Sequence, residues 1–179
     1  MRTLTIGMVL ALAGALVMTA VRPAASTALP QATAAQTGAA AMKIFSSSAD
    51  VQALLAKAKS ERKEGQVMVP EPILSLAPYA TNLEYRPIEG AVAVHEKEAE
   101  MVYVLDGGGT LTTGGTVLGE KRTNAANLSG TSIDGGTIQT IAKGDFTIIP
   151  EGTPHQFKPA GGPLVLVTMH VPRPVGGAQ

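Results

Sequence analysis

The sequence predicts an all-β fold, a sandwich or barrel of short strands, with one helix on its N-terminal side. Three observations predict it. Beyond Gly65, short runs rich in Val, Ile, Thr and Tyr are separated by Gly, Pro and Asn/Asp clusters. Turn signals recur at close spacing, in Asp106-Gly107-Gly108-Gly109, Thr113-Gly114-Gly115 and Asp134-Gly135-Gly136. The period of an amphipathic helix is readable in one segment, just after Ser47.

The first segment reads as an address rather than as part of the fold. Met1-Arg2-Thr3 is a short positive start, Leu4 to Val21 carries no charge, and small residues follow from Ala24 to Ala28. This order is that of a secretory signal peptide over residues 1–28. Cleavage after Ala28 puts Ser26 and Ala28 at the small-residue positions, and cleavage after Ala34 is the other site that fits. The expectation is an exported protein, periplasmic or secreted, with no stable membrane insertion after cleavage. An uncleaved anchor is the alternative, because the apolar run is just long enough to span a bilayer. Residues 29–46, rich in Ala, Thr and Gln to Met42, read as a flexible spacer.

The predicted helix covers residues 48–63. Ser47 and Asp50 fit a capping box, in which the serine accepts from the first turn and the acid lies at the positive end. Val51, Leu54, Leu55 and Ala58 follow the i, i+3, i+4, i+7 pattern, Lys57, Lys59, Arg62 and Lys63 crowd the last turns as a solvated face, and Gly65 can end the helix. Strands follow, among them Ala91–Glu96, Glu100–Leu105, Thr137–Ala142, Phe146–Ile149 and Leu164–Val171. Residues 119–136 read as a loop of their own, and 173–179 as a flexible tail. The folded part, residues 47–172, is enough for one compact core.

Composition removes several functions. Fourteen Lys+Arg against 14 Asp+Glu leave no excess positive charge for a phosphate backbone, so nucleic acid is not an expected partner. The absence of Cys excludes disulfides, thiolate zinc sites, iron–sulfur clusters and a cysteine nucleophile. Gly114 to Gly119 has the glycine spacing of a phosphate loop, but Glu120 stands where lysine is needed. There is no G-x-S-x-G elbow to support a serine hydrolase.

The chemistry that remains centres on the three histidines, His95, His155 and His170. Alternation puts Ala91, Ala93 and His95 on one strand face and Glu100, Val102 and Val104 on one face of the next. A hairpin with its turn at Glu96–Ala99 brings His95 and Glu100 together, leaves Glu96 and Glu98 solvated, and sends Tyr103 to pack beneath the sheet. Residues 144–155 read Gly, five strand residues, Pro-x-Gly, two residues and His. Proline and glycine set a turn there, His155 starts the returning strand, and Phe157 shares its face.

In these residues the sequence resembles the cupin superfamily, in its small single-domain type 2 form. Residues 144–155 match every fixed position of the motif G-x5-P-x-G-x2-H, with Pro159 in place of the asparagine that usually follows. His95, Glu100 and Gly107 fit the second histidine, the glutamate and the last glycine of G-x5-H-x-H-x3,4-E-x6-G. The first histidine of that motif falls on Ala93 and its leading glycine on Pro87. The resemblance covers about residues 83–171.

The resemblance implies a single antiparallel jelly-roll β-barrel with a divalent metal near its centre, held by His95, Glu100 and His155. Two imidazoles and one carboxylate suit Fe, Mn, Ni, Zn or Cu and leave open positions. The net positive charge left on the ion favours a small anionic or chelating ligand. Lys97, Val102, Phe157 and His170 are the expected ligand-pocket residues. His170 either takes the place vacated at Ala93, if it faces inward, or is a hydrogen-bonded edge histidine. The family's metal chemistry implies a dioxygenase, decarboxylase or isomerase type of reaction. The loss of the first histidine favours the alternative, a non-catalytic ligand-binding or sensor module with an eroded site. Cupins often dimerise through their outer sheets, so a homodimer is expected.

Overall fold

A computed structural model describes residues 42–173. The predicted signal peptide, most of the spacer and the tail after Arg173 lie outside the described residues. The chain order is α1 (Ser48–Glu61), β1 (Val69–Leu76), β2 (Tyr79–Arg86), β3 (Val92–His95), β4 (Glu98–Asp106), β5 (Gly108–Thr113), β6 (Thr116–Leu118), β7 (Lys121–Arg122), β8 (Asn127–Gly130), β9 (Ser132–Asp134), β10 (Thr137–Ala142), β11 (Phe146–Ile149), β12 (His155–Pro159) and β13 (Leu164–Pro172).

The cap that starts α1 is the one the sequence predicts. Ser47 Oγ accepts from the Asp50 N–H at 3.2 Å, and Asp50 Oδ2 accepts from the Ser47 N–H at 2.8 Å. The helix stops at Glu61, two residues before the expected end, because Arg62 turns extended and Gln66 Oε1 takes the Lys63 N–H at 3.0 Å. Leu55 and Ala58 are buried, with Val51 and Leu54 packed beside them. Their partners are Val69, Ile73, Leu83 and Val165, so the helix covers one face of the β1–β2–β13 sheet. Burying a side chain of Leu size there stabilises by roughly 1.5–3 kcal/mol. Glu71, buried on that same face, accepts from Lys57 Nζ at 2.8 and 3.0 Å, which pins the helix to β1.

All strand pairs are antiparallel. One sheet runs β1-β2-β13-β4-β11, the second runs β10-β5-β12-β3-β8-β7, and β6 and β9 form a two-stranded piece. The jelly roll is therefore made of two separately hydrogen-bonded sheets facing each other, not a closed barrel. Between them lie Val102, Val104, Leu111, Ile141, Ile149, Phe157, Leu164 and Leu166.

Three expectations are corrected. Residues 119–136 are not a separate loop: β8 pairs with β3 through Val92↔Gly130 to His95↔Asn127, and β9 pairs with β6. Short polar strands such as Asn127-Leu128-Ser129-Gly130 carry little apolar period, so the pattern hid them. The β6–β9 piece folds against β8 so closely that a Cβ at Gly130 would collide with Val117. Tyr103 does not pack beneath the sheet; it is 36% exposed on the outer face, its ring 6.4 Å from that of Phe146. Glu96 and Glu98 are not free in solvent, since Glu96 is held by Arg122 at 2.6 Å and Glu98 stands 3.1 Å from His170 Nδ1.

Both ends of the described chain are tied to the fold. Lys43, within the expected spacer, exchanges backbone hydrogen bonds with Ser75 at 2.8 and 2.9 Å. The Arg173 N–H donates to the Lys97 carbonyl at 3.1 Å, and its Nε donates to Glu151 at 2.7 Å.

Candidate metal centre

His95 ends β3, and after the two-residue turn Glu96-Lys97 the chain returns as β4. Alternation along β4 then turns Glu100, Val102 and Val104 inward, all three buried. His155 begins β12, where it pairs with Ala93 of β3 and Thr113 of β5. The turn Pro150-Glu151-Gly152 brings it there. Gly152 adopts φ +72°, a conformation glycine enters without strain, and its N–H donates to the His95 carbonyl at 2.7 Å. The motif's glycine thus fastens the strand of one histidine to the strand of the other.

Inside the roll, His155 Nε2 lies 2.9 Å and His95 Nε2 lies 3.7 Å from Glu100 Oε2. One ligand atom from each of the three residues falls within 4.8 Å of the others. Ala93, paired with His155 and two residues before His95, presents a methyl group where the resemblance has a ligand.

The other ring nitrogen of each histidine is engaged. His155 Nδ1 lies 3.1 Å from the Thr153 carbonyl, which can only accept, so the proton sits on Nδ1. His95 Nδ1 lies 2.8 Å from Asn127 Oδ1 and donates in the same way. Both Nε2 lone pairs are thereby aimed at a carboxylate oxygen that is itself an acceptor. Glu100 Oε2 is buried and has no aligned donor, despite the short distance to His155. Three acceptors facing one another repel unless a proton or a cation lies among them. Donor-atom separations of this kind also match those around an ion bound at about 2.1 Å. The residues fit a divalent metal on both counts.

The electrostatics agree. Burial pushes the His95 imidazole below its ordinary value of 6.5, against the opposing effect of the hydrogen bond that Asn127 Oδ1 accepts from it, so it is neutral at physiological pH. For Glu100, burial favours the neutral acid, yet the His155 contact and then the charge of His155 and His95 outweigh it and hold the carboxyl below its ordinary 4.5; that pull is exerted by an Nε2 that carries a proton, in the place a cation would take. The site therefore presents a neutral imidazole and a charged carboxylate, the forms in which these groups bind metals.

The four expected pocket residues separate. Val102 and Phe157, each two residues beyond a cluster residue on the same face, line a cavity of about 170 Å³ together with Val104, Gln139, Ile141 and Thr147. His170 lies opposite Glu100 in the β4–β13 ladder, and its ring centroid is 4.5 Å from that of His95, edge to face. Lys97 does not line the cavity; it is exposed in the β3–β4 turn, where its charge acts on Glu96. A lysine in a two-residue turn has nothing to hold it inward. Asn127 and Thr153, which engage the Nδ1 atoms of the two cluster histidines, are positions the motifs did not reveal. Thr153 acts through its backbone, which any residue supplies, and Asn127 lies in the segment expected to be a loop.

No protein-family model matches the sequence, and no curated protein sequence matches it. Among solved structures the chain is similar to TT1209 from Thermus thermophilus, 20% identical over 74% of this chain and 100% of that one, with a TM-score of 0.49. It is also similar to the Cnp3 cupin domain of Schizosaccharomyces pombe, 15% identical over 64% and 72% of the two chains, TM-score 0.46. KdgF from Halomonas sp. is 12% identical over 63% and 87%, TM-score 0.46. By its own strand order the chain folds as an antiparallel jelly roll of two facing sheets, with His95, Glu100 and His155 between them.

Proposed function

We propose that this protein binds a divalent transition metal through His95, Glu100 and His155, and a small anionic or chelating molecule within the roll, at the positions the ion leaves open. The observation that carries this reading is the buried Glu100 Oε2 with no aligned donor, faced by two imidazoles whose Nδ1 atoms are already committed. Thr153 and Asn127 hold the protons on Nδ1 and so keep both Nε2 lone pairs inward. Val102 and Phe157, buried and two residues from Glu100 and His155 on the same faces, are apolar neighbours of the site. Two neutral imidazoles and one carboxylate leave a divalent ion with one net positive charge, which selects anions. When bound, the ion supplies Lewis acidity or a site for O2, the chemistry of decarboxylases, isomerases and dioxygenases.

The test is elemental analysis of untagged protein purified from its native compartment, beside His95→Ala, Glu100→Ala and His155→Ala. The expected result is stoichiometric metal in the wild type and background levels in the three variants. Unchanged metal content across all three rejects the site.

Ala93 favours a second reading, a ligand-binding module without turnover. A metal-free protein that is stabilised by a small anion supports it; turnover lost on chelation and restored by one metal ion excludes it. Export belongs to the proposal too. N-terminal sequencing of the mature protein should begin at Leu29 or Ala35, and retention of Met1 rejects cleavage. Outward-facing Tyr103, Phe146 and Ile148 beside the edge strand β11 support a homodimer, which sedimentation of the mature protein tests.

A further inference from the structure

The carboxylate and two imidazoles of the centre belong to a larger cluster. His170 stands directly opposite Glu100 in the β4–β13 ladder, and directly opposed residues of an antiparallel pair share a face. Its side chain therefore enters the roll. The His170 and His95 rings meet edge to face at 4.5 Å, and those of His95 and His155 are 5.3 Å apart. A third ring nitrogen also faces an oxygen through Nδ1: His170 Nδ1 lies 3.1 Å from Glu98 Oε2. His95 has Asn127 in that place, and His155 has the Thr153 carbonyl. Metal-bound histidines characteristically give their other N–H to a carboxylate or carbonyl, which fixes the tautomer and leaves the remaining nitrogen for the ion.

Resting on the metal reading above, we infer that His170 is the fourth protein ligand, supplied from the last strand in place of the residue that Ala93 has lost. His170 is not among the three residues whose ligand atoms fall within 4.8 Å of one another. Its coordination thus requires the ring, whose side chain is 25% exposed, to rotate on metal binding. The His170 Nδ1–Glu98 contact, though short, lacks the alignment of a hydrogen bond. That leaves the ring free of a strong anchor that would oppose the rotation. Once the ring has turned, Glu98 is the carboxylate within reach of Nδ1; as a positioning residue it would take that proton's hydrogen bond and, as an anion near the ion, strengthen its binding.

The experiment loads untagged full-length protein with Cu(II) and counts coordinated imidazole nitrogens by pulsed electron paramagnetic resonance, with affinity measured by competition against a chelator. The wild type should show three imidazoles. His170→Ala should show two and bind Cu(II) at least about tenfold more weakly. His170→Gln, which retains a polar side chain should the alanine variant fold poorly, should show the same two. Adding Ala93→His to His170→Ala should restore the third imidazole and the affinity, because the new ring arises beside His155. Three imidazoles retained in both His170 variants, or two in the wild type, overturn the assignment of His170 while leaving the three-residue centre intact. A wild type that binds no Cu(II) overturns both.

Discussion

The two ends of the roll's interior are built on the same strands and differ in what they bury. Along β4 the inward positions read Glu100, Val102, Val104; along β12, His155 then Phe157; along β13, from its far end, His170, Thr168, Leu166, Leu164. One end is a layer of imidazoles and a carboxylate, the other a layer of apolar side chains that includes Leu111, Ile141 and the Phe157 ring. The same alternation serves both ends, interrupted in the β4–β13 ladder only by a register shift between Val165 and Leu166, so the difference lies in the side chains. The apolar end gains stability from burial, while the polar end places acceptors against one another and gives up stability in the metal-free chain. A fold can carry such a layer because the other end and the helix-covered outer face stabilise the strands that hold it.

Breaking the apolar end should have the largest effect on stability. Phe157→Ala removes a buried ring from that layer and is expected to destabilise by about 3–5 kcal/mol; chemical denaturation of the metal-free protein measures it. A loss under about 1 kcal/mol would mean the two ends are not energetically distinct.

Asn127→Ala sharpens the comparison from the polar side. It removes the acceptor that fixes the His95 ring, so metal affinity should fall about 10–100-fold with little change in metal-free stability. Equal affinity in the variant would show that Asn127 does not position the ring.

Glu100→Gln should act in opposite directions on the two states. The amide can donate to a bare Nε2, replacing a facing pair of acceptors by a hydrogen bond. At pH 8 the metal-free variant should be more stable than the metal-free wild type by about 1 kcal/mol, while metal uptake falls to background. A metal-free variant of lower stability at that pH would refute the repulsion argued for the cluster.

The pH dependence has a definite sign. Burial holds His95 below its ordinary 6.5, so the unfolded chain takes up its proton first as pH falls. The stability that the neutral ring contributes is complete above 6.5 and is lost as pH drops below it toward the lowered folded value. Metal should be released over the same direction of change, as protons compete for the imidazoles. Thermal melts and metal content measured from pH 7.5 downward test both; stability that rises on acidification would contradict the burial of His95. The smallest effect belongs to the distant cap. Ser47→Ala should destabilise by about 1 kcal/mol and leave metal affinity unchanged.

Much of this arrangement was legible in the chain, and the reasons differ by residue. The capping box at Ser47 and Asp50 is local, set by a hydrogen bond across three residues, and the structure holds it as read. The run from Gly144 to His155 was legible because its turn needs a glycine at φ +72° and a residue that starts the next strand. The place of Lys97 was not legible in this way, because a sequence records a charge but not where a flexible side chain ends. Asn127 was missed because its strand is short and polar, and its relation to His95 exists only through the β3–β8 register.

By itself, then, the sequence determined the helix, most of the strands, the alternation that turns Glu100 and His155 inward, and the absence of thiol or polycationic chemistry. These follow from short-range sterics and from the period of two along a strand. Only the tertiary structure decided that the roll stays open as two sheets, that residues 119–136 join one of them, and that Asn127, Glu98 and His170 gather around the centre. Those outcomes depend on which strand lies beside which. Pairing between residues far apart in the chain is set by the burial of the whole core, which no local pattern encodes.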